Sequence, residues 1–455
     1  MQYIHAKQAL GPDGWVGDIQ IDVAPNGRIA KLGPQTATPT RRLDLALPAP
    51  VNLHSHSFQR AMAGLTETRG PDPADSFWTW RKLMYRFLDR LTPDHVQAIA
   101  TLAFMEMLES GYAGVAEFHY LHHDAGGNPY AALPEMADRI VAAARTAGIG
   151  LTLLPVLYQF GGCDQRALAG GQRRFGNDPD RFARLYEGSK TAVARAPADY
   201  TIGVAPHSLR AVNAAGLNAA LGLCAAGPVH MHLAEQMAEV AEVQASLNAP
   251  PTEWLLNTHA VDNRWCLIHC TQMTRDETRR LARSGATAGL CPITESNLGD
   301  GIFNGTEFLS AGGTIGFGSD SNIHIALFEE LKTLEYSQRL RDRSRAALAT
   351  QDRSTGRVLF DQAASGGARA AGRASGAIAA GLQADILGID TGNRWVCGRA
   401  GDTALDCLIF GGHGQDCITD VWSAGRHVIS QGRHSARDAI TDKFNQTLAE
   451  LGQDA

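Results

Sequence analysis

The sequence has no Cys-x-x-Cys pair, no basic run longer than a pair or so, and no stretch approaching about 18 consecutive apolar residues. Its eight cysteines are scattered along the chain, which argues against a disulfide framework and indicates reduced, buried thiols. Lysine and arginine total 41 against 47 acidic residues, giving a net charge of −6. This balance lacks the electrostatic footprint of a protein that binds nucleic acid or a membrane surface.

The N-terminus also lacks the charged segment followed by an apolar core that a secretory signal needs. We therefore expect a cytoplasmic protein. What is present is an ordinary core-forming composition over 455 residues, with 44% apolar and 19% charged residues. At about 150 residues per domain the length allows three domains, but one large barrel with a smaller companion fits equally well.

Short β-like segments with turn residues between them occupy residues 1–46 and return after residue 375. In the first group, residues 18–23 and 28–32 flank a Pro-Asn-Gly turn. The second group comprises residues 384–389, 407–410, 420–422 and 426–429. We expect the two groups to form one small β-sandwich domain, residues 1–46 and 375–455, built from both chain termini.

Between these groups, apolar runs of strand length alternate with helical segments, which is the pattern of βα units and a parallel sheet. The clearest helix begins at Thr92-Pro93, a cap residue followed by proline, and ends at Gly111. The candidate strands are residues 49–53, 114–118, 151–156, 202–205, 228–231, 265–268, 287–290 and 314–318. Eight strands with intervening helices predict an α/β fold, a (β/α)8 TIM-like catalytic barrel over residues 47–374.

Six of the eight candidate strands end at a histidine or an aspartate. These residues are His54 with His56, His119, His207, His232, His269 and Asp320. Sixteen histidines scattered at random would rarely produce this arrangement. Because the C-terminal ends of barrel strands form the active site, the pattern predicts a cluster of titratable groups on one face of the barrel.

The pair His54 and His56 presents both imidazoles on one side of its strand, because strand side chains alternate. His232 and Asp320 would complete three nitrogen ligands and one carboxylate, with a position left for water as in catalytic sites. Such ligands suit Zn²⁺ or Fe²⁺, and we expect one divalent metal, with zinc favoured. His230, one layer deeper on the same strand, is interpreted as a packed core histidine.

These residues lie in segments that resemble the amidohydrolase superfamily in its one-metal deaminase branch, over nearly the whole chain. The segments are residues 51–56 (VNLHSH), 230–235 (HMHLAE), His269 and 318–320 (GSD). Two-metal members of the superfamily carry a lysine after strand four, whereas this sequence has Ala-Pro-His at residues 205–207. The difference favours one metal.

The resemblance implies roles for three rim residues. Glu235 would shuttle a proton to the substrate nitrogen, since it follows His232 closely enough to reach both water and substrate. Asp320 would bind the metal and help to take the proton from the water. His269 would orient the attacking oxygen and stabilise the tetrahedral intermediate.

Further segments resemble the subfamily of formimidoylglutamate deiminases: residues 57–62, 77–81, 117–122 and 206–210. This likeness implies hydrolysis of N-formimidoyl-L-glutamate to N-formyl-L-glutamate and ammonia in histidine degradation, and a homodimer. The candidate substrate-binding residues are Gln59, Arg81, Tyr120, His207 and Arg210. A dianionic formimidoyl amino acid needs at least one guanidinium partner, because buried carboxylates must be paired.

Two other functions stay open. The first is a one-metal deaminase of a heteroaromatic amine such as guanine, which a flat aromatic pocket with amide groups would favour. The second is a metal-binding scaffold of this fold that has lost catalysis and serves as a protein partner. The presence of Glu235, His269 and Asp320 argues against the scaffold.

Overall fold

Two β systems account for the strands of the computed structural model, which describes residues 1–67 and 84–452. In chain order the strands are β1 (Gln2–Gly11), β2 (Gly14–Val23), β3 (Ile29–Gly33), β4 (Arg41–Pro48), β5 (Val51–Ser55), β6 (Gly114–His119), β7 (Gly150–Leu157), β8 (Thr201–Ile202), β9 (Ala205–Pro206), β10 (Val229–Leu233), β11 (Trp265–His269), β12 (Thr287–Leu290), β13 (Thr314–Phe317), β14 (Ile386–Ile389), β15 (Ile418–Ser423), β16 (Arg426–Ser430) and β17 (Arg433–His434). Strands β5 to β13 form the barrel, and the remaining strands form a terminal sheet.

The barrel consists of parallel strands in two hydrogen-bonded groups, β5-β6-β7-β8 with β9 on β7, and β10-β11-β12-β13. Parallel bridges from Ser55 to Asp320 and from Val204 to Val229 join the two groups and close the ring. The predicted (β/α)8 barrel is confirmed, and its fourth strand is divided into β8 and β9. This closure places the C-terminal ends of all the strands on one rim.

The terminal sheet contains eight strands in the order β17-β16-β15-β14-β4-β1-β2-β3. Its centre is the antiparallel contact between β4 and β14, so the two ends of the chain are hydrogen-bonded to each other. The predicted β domain from both termini is thereby confirmed as one continuous sheet. The domain boundaries at residues 46 and 375 stay predictions; β4 runs on to Pro48, and the first barrel strand begins at Val51.

One predicted strand is wrong. Residues 407–410 form the last turn of the helix Gly401–Phe410, which packs on the helices Leu327–Asp342 and Thr355–Ala370. The buried residues of this helix are Ala404, Leu405, Leu408 and Ile409. Their spacing is that of one helix face, and a four-residue apolar run alone does not distinguish such a face from a buried strand.

Helices cover the outside of the barrel and extend the C-terminus. Their bounds are Pro93–Glu109, Glu135–Ala147, Pro179–Ala194, Ala214–Leu223, Met237–Leu247, Pro251–Thr258, Arg275–Ser284, Pro292–Leu298, Gly305–Ser310, Leu327–Asp342, Thr355–Ala370, Gly401–Phe410 and Arg437–Gly452, with short 3-10 turns at Ser57–Met62, Gly170–Arg174 and Gln415–Cys417. The predicted helix start is confirmed, since Thr92 caps the first of them and accepts from the backbone of His95.

Within the described residues, no helix is long and apolar enough to cross a lipid bilayer. All eight cysteines are free thiols.

A buried ion-pair network joins the N-terminal end of the barrel to the terminal sheet. Arg373 donates to both carboxylate oxygens of Asp385, at 2.7 and 2.9 Å, and to Asp199 Oδ2 at 3.2 Å. Asp199 also accepts two hydrogen bonds from Arg426, at 2.7 and 2.8 Å. Because Asp199 precedes β8 while Asp385 and Arg426 flank terminal strands, these charges hold the two parts of the fold together.

Arg373→Met is expected to lower the free energy of unfolding by about 3–5 kcal/mol, because it leaves two buried carboxylates without their shared partner. The control is Arg353→Met, whose exposed pair with Asp361 spans 3.1 Å and should contribute less than about 1 kcal/mol. Chemical denaturation of both variants measures the difference. Equal losses in the two variants would contradict a stabilising role for the buried network.

Candidate metal centre and active-site pocket

The four predicted metal ligands meet at the C-terminal rim of the barrel. His54 lies in β5, His232 lies in β10, and Asp320 follows β13. One ligand atom from each of these residues and from His56 lies within 4.8 Å of all the others, and all four residues are buried. Asp320 Oδ1 is 3.4 Å from His54 Nε2 and 3.2 Å from His56 Nε2. The geometry is that of a compact tetradentate set.

Backbone carbonyls orient two of the three imidazoles. His56 Nδ1 donates to the carbonyl of Phe118 at 3.1 Å, and His232 Nδ1 donates to the carbonyl of His207 at 3.1 Å. A ring that donates through Nδ1 leaves the lone pair of Nε2 facing the centre of the set. This is the usual way in which proteins fix the tautomer of a metal-binding histidine.

His54 provides the test of whether a metal fits this set. Both of its ring nitrogens are buried and neither makes a hydrogen bond. Burial lowers the pKa of His54 to about 3 and also lowers the pKa values of His56 and His232, so the rings are neutral. Neutral imidazoles beside an ionised carboxylate are the donor set that a divalent cation requires, and the residues present therefore fit such an ion.

Two of the predicted catalytic residues lie directly against this set. His269 Nε2 is 3.8 Å from Glu235 Oε1 and 3.9 Å from Asp320 Oδ2. Burial alone lowers the pKa of His269, but the carboxylates of Glu235, Glu295 and Asp320 outweigh it and raise that pKa to about 10. Burial raises the pKa of Glu235, although His269 and Arg210 oppose the rise. A carboxyl with a raised pKa suits proton transfer near neutral pH.

Left-handed backbone places these side chains. His269 has φ +71°, Asp320 has φ +44°, and Ala234, just before Glu235, has φ +51°. Conformations of this kind cost free energy in residues other than glycine and are concentrated at functional sites. Glu239 holds the turn after β10, since its carboxylate accepts from the backbone N–H of Ala234 at 3.2 Å and of Glu235 at 2.9 Å.

A pocket opens onto the metal set. Its lining residues are His56, Gln59, Met84, Tyr85, Tyr120, Tyr158, Phe175, His207, Arg210, His232, Glu235, His269, Leu298 and Asp320. Four of the five predicted substrate-binding residues are among them. The fifth, Arg81, and the neighbouring residues 77–80 lie outside the described residues.

Gln59 and Arg210 are polar residues of the pocket wall outside the metal set. Gln59 Nε2 donates to the Tyr120 hydroxyl at 2.8 Å, and Gln59 Oε1 is buried without a hydrogen-bond partner. Arg210 is 8% exposed, and its Nη2 lies 3.8 Å from Glu235 Oε2. Arg60 instead binds Glu106 at 2.5 and 2.9 Å, so its charge is neutralised away from the pocket.

Two other histidines of the barrel strands, His119 and His230, do not line the pocket. Phe118 packs its ring 5.0 Å from that of His54 and 4.5 Å from that of His232, so the next residue, His119, turns the other way. The expectation that His119 reaches the common face is therefore wrong, because it alternates with Phe118. His230 is fully buried and its Nε2 lies 2.7 Å from the carbonyl of Ala370, as expected for a core histidine.

The sequence interpretation missed contributions from strands three and seven. Tyr158 follows β7 and lines the pocket, and Glu295 follows β12 and lies 3.2 Å from His269 Nδ1. The available signal was position, because both residues come shortly after the C-terminal ends of barrel strands. Neither residue is a histidine or an aspartate, the two residue types that define the strand-end pattern.

The fold and this rim define the class of the protein as a (β/α)8 barrel enzyme with a candidate metal site at the strand ends. The sequence model described as "Amidohydrolase family" matches residues 45–428. The chain therefore belongs to the amidohydrolase family. A second model, described as "Formimidoylglutamate deiminase HutF, N-terminal domain", matches residues 1–40. Both levels of the predicted resemblance, and the prediction of a hydrolase, are confirmed.

Individual proteins agree with this placement. A formimidoylglutamate deiminase from Pseudomonas aeruginosa is 45% identical and aligns over 99% of this chain and 100% of its own length. The crystal structure of an amidohydrolase from Brucella melitensis has 48% identity and a TM-score of 0.95, covering 99% and 100% of the two chains. An adenosine deaminase from Xanthomonas campestris with bound zinc shares the fold, with 22% identity, a TM-score of 0.82 and coverage of 99% and 98%.

Proposed function

We propose that this protein hydrolyses N-formimidoyl-L-glutamate to N-formyl-L-glutamate and ammonia, the deimination step of histidine degradation. One observation carries the proposal: a single pocket joins a complete candidate metal set to an acid–base carboxyl and a buried arginine. The full-length relative from Pseudomonas aeruginosa that bears this activity in its name supports the same substrate. The arginine is the feature that a dicarboxylate substrate requires.

The metal is proposed to be zinc, held by His54, His56, His232 and Asp320. Three imidazoles and one carboxylate without thiolate suit zinc, although Fe²⁺ accepts the same ligands. When bound, such an ion would lower the pKa of a water molecule to about 7 and so make a nucleophile available at neutral pH.

The protein's own side chains would move the protons. Glu235 Oε1 and Asp320 Oδ2 lie 3.8 and 3.9 Å from His269 Nε2, so an oxygen placed beside Nε2 would be within reach of both carboxylates. Glu235 takes one proton from the attacking water and delivers it to the terminal nitrogen of the amidine, and Asp320 helps to pass the second proton of that water to the same nitrogen. His269 donates a hydrogen bond to the developing oxyanion. The C–N bond then breaks, the carbon becomes the formyl carbonyl, and ammonia leaves.

Arg210 is proposed to bind one substrate carboxylate, with Arg81 as the second candidate and Gln59, Tyr120 and His207 as neutral partners. Arg210 has little solvent exposure, and a buried guanidinium gives a carboxylate two parallel hydrogen bonds. Its distance of 3.8 Å from Glu235 leaves it close to the reacting end of the pocket.

Arg210→Met is expected to raise KM for N-formimidoyl-L-glutamate steeply while the metal stays bound. The loss of a charge-assisted pair to a buried carboxylate corresponds to about 2–5 kcal/mol. The preference for the dianion over a formimidoyl amino acid with an uncharged side chain should narrow as well. Steady-state kinetics and elemental analysis measure both effects.

The matched control is Arg60→Met, because Arg60 binds Glu106 outside the pocket and should leave KM nearly unchanged. Arg81→Met is the companion test of the second candidate. Wild-type kinetics in both Arg210→Met and Arg81→Met would remove the dicarboxylate pocket from the proposal and favour a heteroaromatic amine as substrate.

The function itself is tested by measuring ammonia release from formimidoyl amino acids and from guanine, cytosine and adenosine. We expect N-formimidoyl-L-glutamate to have the highest kcat/KM of the set. A heteroaromatic amine with the highest value would replace the proposed substrate. Absence of turnover on every compound in metal-loaded protein would favour the non-catalytic scaffold.

The proposal extends to a cytoplasmic homodimer. The dimer is carried over from the resemblance to the deiminase subfamily. The cytoplasmic location fits the eight free thiols, since reducing compartments keep cysteines unpaired. Light scattering on the purified full chain tests the dimer, and a single monomeric species at micromolar concentration would remove it.

A further inference from the structure

Strand seven of the barrel supplies a carboxylate that holds the ring of His269. Glu295, in the helix Pro292–Leu298 after β12, places Oε1 at 3.2 Å from His269 Nδ1. The two side chains are 6% and 1% exposed, so no bulk water competes for this hydrogen bond. Glu295 does not line the pocket and therefore lies behind His269 as seen from the substrate.

Glu295 is itself fixed in place. Its Oε1 accepts a second hydrogen bond, from the backbone N–H of Cys291 at 2.8 Å. Its own backbone N–H donates to the carbonyl of Cys291 at 2.9 Å. Glu295 is thus bonded to Cys291, the first residue after β12, through both its backbone and its side chain, and Oε1 is held towards His269.

This contact decides which way the imidazole faces. Because the shared Oε1 accepts, His269 Nδ1 must carry the hydrogen, and Nε2 is directed into the pocket towards Glu235 and Asp320. The stacking of His269 on His232, at 5.5 Å and 20° between planes, fixes the plane of the ring but not its direction. A rotation of the ring by 180° about its Cβ–Cγ bond would keep the same plane but would put a carbon where Nε2 now lies.

We propose that Glu295 is a positioning residue for hydrolysis, one that fixes the direction of the His269 ring without touching the substrate. The inference rests on the proposed function, because it assigns His269 a task in that reaction. The positioning depends on one hydrogen bond. His269 Nδ1–H donates to Glu295, so that only Nε2 faces the reacting oxygen. No metal ligand has to change for the effect to appear.

Two variants separate positioning from bulk structure. Glu295→Leu removes the acceptor at similar volume and should lower kcat by about 10–100-fold, the range for partners that orient site histidines. KM should stay within about twofold, since the substrate wall is intact. Glu295→Gln keeps a carbonyl oxygen for both N–H donors and should recover most of the lost kcat.

A double-mutant cycle ties the effect to His269. In a His269→Ala background, Glu295→Leu should cause no further loss of kcat, because the ring that it positions is gone. An additive loss, or a Glu295→Leu enzyme with wild-type kcat, would overturn the inference. Loss of metal or of cooperative unfolding in Glu295→Leu together with failure of Glu295→Gln to rescue would also overturn it, in favour of a purely structural role.

A readout independent of turnover distinguishes this inference from the proposed function. In metal-loaded protein labelled with ¹⁵N-histidine, the wild type and Glu295→Gln should show a protected downfield proton on Nδ1 of His269, and Glu295→Leu should lose it. If the wild type fails to turn over N-formimidoyl-L-glutamate, the proposed function falls while this signal still tests the contact. If the signal is absent from the wild type, the positioning inference falls whatever the activity.

Discussion

Glu235→Gln is expected to bind N-formimidoyl-L-glutamate and to turn it over about 10²- to 10⁴-fold more slowly than the wild type. The amide keeps the shape of the side chain and its distance to Arg210, but it cannot carry a proton from the water to the leaving nitrogen. Single-turnover kinetics and a binding titration on the metal-loaded variant separate the two effects.

The control for this variant is Glu242→Gln. Glu242 lies in the helix Met237–Leu247 that follows Glu235, and it accepts from the Cys163 backbone at 3.0 Å rather than lining the pocket. Its turnover should be close to that of the wild type. Near-normal turnover in Glu235→Gln would remove Glu235 from the mechanism and leave Asp320 with His269 as the proton path.

His232→Ala is expected to lose most of its bound metal and, with it, almost all activity. One divalent ion per chain is expected in the wild type, because the set of His54, His56, His232 and Asp320 is complete without a bridging lysine. Removal of one of four ligands leaves three, and the ring of His232 also separates His54 from His207. Elemental analysis of the purified variant measures the loss.

His230→Gln provides the matched control on the same strand. His230 lies two residues away and contacts the carbonyl of Ala370 through Nε2, a bond that an amide nitrogen can replace. Metal content should therefore be retained. Two stoichiometric metals in the wild type, or full activity after thorough chelation, would contradict the one-metal centre.

Much of the site could be predicted because its residues occupy recognisable positions in local sequence patterns. The His-x-His pair at residues 54 and 56, the histidine at 232 and the aspartate at 320 each follow or end an apolar run of strand length. In a closed parallel barrel all such ends share one rim, so chain order alone brings them together. His119 does not follow this pattern, because an alternating strand turns only every second side chain inward.

Residues 407–410 were predicted as a strand from their apolar pattern, and they are helical. Four consecutive apolar residues satisfy the requirements of a buried strand and of a buried helix turn alike. Which of the two forms depends on what packs against it. Here the helices Leu327–Asp342 and Thr355–Ala370 offer a groove for a helix face, and contacts so distant in sequence leave no local trace.

The sequence by itself determined the barrel, the terminal β domain, the four candidate ligands and the amidohydrolase placement, because periodicity and strand-end position are local properties of the chain. Only the tertiary structure decided which side chains hold the site in shape. That Arg60 is neutralised by Glu106, and that Glu295 rather than solvent meets His269, depends on distances between elements 26 to 46 residues apart. The direction and burial of a side chain result from packing between elements, and they cannot be predicted from the type of residue alone.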